Sequence, residues 1–232
     1  MYPSIESSAS EIINATLNIT NATVVPDTDD VVMKNGGKLI DAVYLYADLA
    51  DSTALAHKLK PEAAAAIIRA YINSASRILG NYGGEIRSFD GDRVMAIFIG
   101  ANKEWNAVRA AFAINWAVIE VLKPLIKDHW TDVDGLYQID HGVGIDTGEA
   151  LIVRGGVRNH NDLISVGRAP NVAAKLSSVR GYYSLLITSA VKDALSDDLL
   201  EFNSSSIWRS TNHVVLGGSY YSVHGSNGYW GL

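Results

Sequence analysis

Two aspartates are the residues of this 232-residue chain whose type and setting point most directly to chemistry. Asp48 closes the apolar run Ala42-Val43-Tyr44-Leu45-Tyr46-Ala47. Asp92 closes Glu85-Ile86-Arg87-Ser88-Phe89-Asp90-Gly91, just before a second apolar run, Arg93 to Phe98. Carboxylates delivered from two neighbouring strands suit a hard divalent cation that also holds a nucleotide's phosphates. The pair therefore points to metal-dependent chemistry on a triphosphate. Two plainer roles stand beside it: Asp48 as a cap on the following helix, and Asp92 as a turn residue.

The elements that must position these groups follow from periodicity. Val43, Leu45 and Ala47 alternate with Tyr44, Tyr46 and Asp48, which predicts a strand. Pro61 and Glu62 mark a helix start. Ala65, Ile68, Ile72, Ala75 and Leu79 then recur at helical steps up to Gly83-Gly84. A hairpin is expected over 85–99, turning at Asp90-Gly91-Asp92. A second long helix carries Val108, Ala111, Phe112, Asn115, Val118, Ile119 and Leu122 and is expected to end near Pro124. Residues 137–145 read as a strand, with a turn at Asp146-Thr147-Gly148 and a partner strand to Arg154. The stretch 155–162 reads as a polar loop. A short helix over 170–179, a strand over 185–188, a last helix from Ala190 and two weak strands near the end complete the chain. The order is that of an α/β (α+β) sandwich of ferredoxin-like βαββαβ type, helices largely on one face. Residues 1–40 read as an N-terminal extension, and 41–232 as one catalytic domain.

Composition narrows the classes. The net charge is −6, from 25 acidic and 19 basic side chains, with no basic cluster, so nucleic acid is not expected as a partner. There is no cysteine, which excludes disulfides and thiolate metal sites and predicts a reducing, cytoplasmic compartment. No apolar run approaches the ~18 residues of a membrane span, and the N-terminus lacks the pattern of a secretory signal. The six histidines show no metal-ligand spacing. His141 and the tryptophans Trp105, Trp116 and Trp130 are expected to be packing residues.

Four motifs in one fixed order carry a resemblance. They are Tyr46-Ala47-Asp48-Leu49, the Gly-Gly-x5-Asp-Gly-Asp hairpin, Val143-Gly144-Ile145-Asp146-Thr147-Gly148-Glu149, and Gly167-x3-Asn171-x3-Lys175. Together they resemble the class III nucleotidyl cyclase catalytic domain, the adenylyl and guanylyl cyclase family, over roughly 41–223. The resemblance implies attack by the ribose 3′-oxygen on the α-phosphorus with loss of pyrophosphate. It implies two divalent cations, Mn²⁺ or Mg²⁺, held by Asp48, Asp92 and the carbonyl of Leu49. The amides of Leu49, Ala50, Asp51, Ser52 and Thr53 are expected to face the triphosphate. The resemblance further implies a homodimer with shared sites, in which the opposite subunit supplies Asn171 to the ribose and Lys175 to the transition-state charge. Lys175 stands where the family normally has Arg, which keeps the charge and loses the bidentate fork. As a plainer alternative, Lys175 is a solvated residue on an amphipathic helix.

The base-reading positions depart from the purine cyclases. Counting from the motifs, Ser88 and Ile164 occupy them, and neither supplies the hydrogen-bond set that selects adenine or guanine. Arg87 and Tyr46 offer instead a donor and an aromatic surface to a smaller ring. This departure, with the string Arg87-Ser88-Phe89-Asp90-Gly91-Asp92-Arg93, resembles the pyrimidine cyclases of bacterial anti-phage systems. That subfamily implies cyclic UMP or cyclic CMP as a product read by a separate effector protein, with cyclic UMP favoured. The lysine that the family uses near its C-terminus to bind the triphosphate is not identifiable. A purine cyclase with an unusual pocket, a cyclase-like module without activity, and an RNA-binding ferredoxin-like sheet are the competing readings.

Overall fold

The computed structural model describes residues 3–130, 137–211, 214–216 and 218–232; His213 lies outside them. The chain opens with α1 (Ile5–Ile13) and β1 (Asn18–Asn21), which pairs parallel to the start of β2 (Gly36–Leu49). Then follow α2 (Ser52–Lys58), α3 (Pro61–Asn81), β3 (Glu85–Asp90), β4 (Arg93–Phe98) and α4 (Lys103–Trp116). A π-helical stretch, Ala117–Leu122, joins α4 to α5 (Lys123–His129). After it come β5 (His141–Val157), β6 (His160–Val166), α6 (Arg168–Ser177), β7 (Leu185–Thr188), α7 (Ser189–Asp193) and α8 (Asp197–Leu200). Short strands finish the chain: β8 (Glu201–Phe202), β9 (Ser205–Ser206), β10 (Arg209–Ser210), β11 (Val214–Leu216), β12 (Ser219–Tyr221) and β13 (Val223–Ser226).

The main sheet runs β10-β13-β7-β5-β2-β4-β3, with β1 added to β2 and β6 to β5. Its segment β5-β2-β4-β3, with α3 and α4 as the crossovers, is the expected ferredoxin-like βαββαβ unit. On one face Val43, Leu45, Ala47, Val94, Phe98 and Ile145 pack against α3 and α4. On the other, Ala42, Tyr44, Met95, Ile97 and Ile152 meet Ala169 and Ala173 of α6. Both sides of β2 are therefore covered, and Tyr44, read as the polar side of an alternating strand, is fully buried. A strap of residues 22–31 crosses this second face. Ala22, Val25 and Val31 pack into it, and Arg154 Nη1 donates to the Thr28 carbonyl at 2.9 Å.

Several expected boundaries shift for physical reasons. The turn expected at Asp146-Thr147-Gly148 is absent: β5 is one 17-residue strand, paired with β2 in unbroken register from Gly37↔Val153 to Leu49↔His141. Gly148 lies within it at φ 149°, a value that favours glycine. The stretch 155–162, expected as a loop, is instead the β5–β6 hairpin, whose turn uses Asn159 at φ 69°. The buried stripe of α3 runs Ala64, Ile67, Tyr71, Ala75, Ile78 and Leu79. It lies beside the expected one because Tyr71 turns inward, which leaves Ala65 exposed. Pro124 does not end a helix; it falls in the first turn of α5, where a missing N–H costs little.

Candidate active site

β2 and the β3–β4 turn bring the two aspartates to one end of the sheet. Asp48 lies opposite Arg93 on β4 and Gly142 on β5. Gly91, at φ 63°, lets the β3–β4 connection turn tightly enough to place Asp92 beside it. The Leu49 amide approaches the Asp92 carbonyl at 3.4 Å and ties the two segments together. They open onto a cleft of about 800 Å³, lined by Asp48, Leu49, Ser52, Thr53, Asp92 and Arg180, among others. Burial pushes the Asp48 carboxyl above its usual range, and Arg180 opposes that shift. Arg180 Nη2 sits 2.8 Å from Asp48 Oδ2. Asp92 Oδ2 is buried and has no hydrogen-bond partner in the structure. Behind the pair lies the Tyr71 hydroxyl, itself buried and unpartnered, its pKa raised well above the ordinary phenol value first by burial and then by the charge of Asp48.

These residues fit a divalent cation. A buried carboxylate oxygen with no donor, beside a second carboxylate that already attracts a cation, is a site lacking positive charge. No group of three or more His, Asp or Glu side chains that could hold a metal occurs among the described residues. Two carboxylates leave coordination positions to be filled by carbonyl, water and phosphate oxygens, as hard cations in nucleotide sites usually require.

Not all five expected amides can serve phosphate. Leu49 and Ala50 spend theirs within the fold, Ala50 on the Asp140 carbonyl at 2.8 Å. Of the five, Asp51, Ser52 and Thr53 open α2, where the helix itself offers their amides no acceptor. Asp51 takes a left-handed conformation, φ 55°, which aspartate tolerates better than most residues. The Ala50 carbonyl accepts from the Tyr137 hydroxyl at 3.0 Å, which braces the same loop from behind.

The residues read as base contacts divide. A bulge between Ile86 and Ser88 leaves Ser88 opposite Met95, and Met95 opposite Tyr46, so Tyr46, Met95 and Ser88 form one row across three strands. Tyr46 also lies under the Arg93 guanidinium at 5.7 Å. Arg87, at the bulge, faces the same side and pairs with Asp27 of the strap at 3.3 Å. The strap leaves only about 10 Å³ free between Pro26, Arg87, Met95 and Ser165. Ile164 is the exception: it is 49% exposed, while its neighbours Leu163 and Ser165 face Arg87. A strand alternates faces, so Ile164 points away from the Tyr46–Met95–Ser88 row while Ser165 points toward it. Asn171 and Lys175 are exposed on α6 and do not line the acidic cleft. Asn171 Nδ2 donates to the Gly167 carbonyl at 2.9 Å, one turn back.

Comparison with known proteins fits this arrangement. The family described as the adenylate and guanylate cyclase catalytic domain matches residues 38–220. The chain belongs to this class III cyclase family. A uridylate cyclase of Rhodovulum sp. is 38% identical to this cyclase over 96% of the chain and 98% of that protein. A uridylate cyclase of Xanthomonas perforans is 37% identical over 95% and 94%. The fold is shared with a bacterial light-regulated adenylyl cyclase, with a TM-score of 0.70 and 22% identity. That alignment covers 84% of this chain and 54% of the longer one.

The cyclase has two cleft or face residues that pattern reading missed. Arg180 follows α6 and reaches Asp48 across 132 positions of sequence. Its only local signal is a cation in a short loop after an amphipathic helix. Ser165 was recoverable from the two-residue period of β6. His141, expected to be structural, is fully buried, with Nε2 2.9 Å from Asn115 Oδ1. Burial, reinforced by Lys123 and Arg180, pushes its pKa down to about 3. No helix among the described residues is long and apolar enough to cross a membrane.

Proposed function

We propose that this cyclase converts UTP into 3′,5′-cyclic UMP and pyrophosphate. The observation that carries the choice of base is near full-length likeness to two uridylate cyclases, at 37–38% identity. The Tyr46–Met95–Ser88 row supports it, since its side chains supply one aromatic surface and two hydroxyls with no charged purine reader. Arg87 adds a permanent donor suited to a pyrimidine carbonyl, and a base that reaches it has to displace Asp27.

In this reading Asp48, Asp92 and the Leu49 carbonyl hold two divalent cations, Mn²⁺ or Mg²⁺. When bound, such cations ease ionisation of the 3′-hydroxyl and neutralise the leaving phosphates. The protein's own part is placement. The amides of Asp51, Ser52 and Thr53 direct the phosphate tail, and the wall of Tyr71 and Leu49 keeps the carboxylates partly dry. Asn171 of a second copy orients the ribose, and its Lys175 balances charge on the α-phosphate as the bond to pyrophosphate lengthens. Exposure of both residues away from the cleft of their own chain is what supports a shared-site homodimer. The product then serves as a cytoplasmic messenger for a separate effector in anti-phage defence, a role that rests on resemblance to that subfamily.

Incubation with each of the four ribonucleoside triphosphates and Mn²⁺, with products identified by mass, tests the proposal. Cyclic UMP is the expected dominant product. Dominant cyclic CMP or cyclic AMP overturns the uracil assignment, and no cyclic nucleotide at all overturns the enzyme.

A further inference from the structure

Arg180 stands in a prepared place. Nη1 donates to the Ser177 carbonyl at 2.5 Å, and Nη2 donates to Asp48 Oδ2 at 2.8 Å. The floor beneath is cleared by Gly142: a Cβ there would lie 2.6 Å from Arg180 Nη1 and 2.4 Å from the Ser177 oxygen. The side chain is 36% exposed toward the cleft and so is not sealed in. The other guanidinium lining the cleft, Arg93, is engaged by Asp90 at 2.8 Å and by the Tyr46 ring. Arg209 lies on β10 at the far edge of the sheet, four strands from β2.

Two demands meet at the Asp48 carboxylate. The guanidinium holds Oδ2, and a divalent cation held by Asp48 and Asp92 needs the same group. Even with the cation on Oδ1, two positive charges a few ångströms apart on one carboxylate repel. A displaced Arg180 keeps its tether at the Ser177 carbonyl while its remaining N–H donors turn to the cleft, where an anion with several oxygens satisfies them in pairs.

We propose that Arg180 is an exchange arginine: it neutralises Asp48 before a metal arrives, yields that carboxylate to the metal, and then binds the triphosphate. It thereby takes the part of the family's C-terminal lysine, which is not identifiable in this sequence. The inference rests on the acidic cleft being the metal–nucleotide site, as proposed above. Its consequence is coupling: metal binding releases the group that grips phosphate, and phosphate relieves the repulsion that release creates. By linkage, each ligand then strengthens the other.

Mn²⁺ binding to the full chain, read by electron paramagnetic resonance with and without inorganic tripolyphosphate, tests this without a base, a ribose or turnover. The wild type is expected to bind Mn²⁺ about tenfold more tightly when tripolyphosphate is present, a coupling within the usual range. Arg180→Ala is expected to bind Mn²⁺ alone several-fold more tightly and to lose most of the tripolyphosphate gain. Arg180→Lys, which keeps the charge without the fork, should fall between the two. Circular dichroism confirms that each variant is folded. Arg180→Ala with unchanged or weaker Mn²⁺ binding and an unchanged tripolyphosphate gain overturns the proposal. Asp92→Asn separates the levels: if it leaves Mn²⁺ binding intact, the cleft is not the metal site and the underlying reading fails as well. If it abolishes binding while Arg180→Ala changes nothing, only the exchange role fails.

Discussion

Asp92→Asn is expected to make the metal-free protein more stable while removing its activity. The reason is local. Asp92 Oδ2 is buried without a donor, and the charge of Asp92 works against the neighbouring Asp48. An amide of the same shape still leaves one polar atom unpartnered there, but it removes the extra cost of burying a charge and the repulsion of Asp48, about 1 kcal/mol. In a chain of 232 residues each kcal/mol moves the melting temperature by about 2–4 °C, so the variant should melt about 2–4 °C higher. Mn²⁺ should then reverse the order. At a hundredfold excess over its dissociation constant, a ligand bound only by the folded wild type adds about 2.7 kcal/mol. The variant, with half of its carboxylate pair gone, should gain little. Differential scanning calorimetry with and without Mn²⁺ reads both effects. A variant that melts below the wild type without metal, or that keeps the full Mn²⁺ shift, refutes the reasoning.

Other outcomes follow from the same geometry. Because folded His141 titrates near 3 and an unfolded histidine near 6.5, its neutral burial destabilises the fold progressively as pH drops below 6.5. At pH 4.5 that amounts to at most about 2.7 kcal/mol. The raised carboxyl of Asp146 acts in the opposite sense, favouring the fold in acid and losing that contribution as pH rises through its folded value. The difference in urea stability between wild type and His141→Gln at pH 7 and 4.5 isolates the histidine, and equal pH slopes in the two proteins would exclude it. Gly144→Ala places a Cβ 2.2 Å from the Ala173 oxygen and 2.4 Å from the Ser177 nitrogen. It should cost about 1–3 kcal/mol in urea unfolding as α6 is pushed off β5. Mixing Asp92→Asn with Lys175→Ala, each inactive alone, should restore about one quarter of wild-type turnover after subunit exchange if sites are shared across a twofold dimer. Persistent inactivity would place Lys175 and Asp92 in one subunit's site.

Much of this site is visible in the chain because its parts sit where local pattern is strong. Asp48 ends a strand, Asp92 follows a tight Gly turn, and α6 declares its amphipathic face around Asn171 and Lys175. What pattern misses is decided at longer range. Asp146-Thr147-Gly148 has turn chemistry, yet a 14-residue β2 offers β5 an uninterrupted partner, and ladder pairing overrides the local preference. Ile164 and Ser165 differ by one step of a period-two strand, so they face opposite sides of β6, and only the folded sheet shows which side meets Arg87. Arg180 belongs to no motif, and only the folded chain brings it to Asp48. The strap of residues 22–31 has no clean period because its few apolar side chains answer to the sheet face and not to a repeat of their own.

Crystals grown with Mn²⁺ and a non-cyclising UTP analogue, measured at a wavelength where manganese scatters anomalously, test the central claim most directly. The account predicts anomalous peaks between the Asp48 and Asp92 carboxylates, with the phosphate tail running toward the first turn of α2. Peaks confined to other parts of the surface, with Asp48 still paired to Arg180 and no metal beside Asp92, would contradict it.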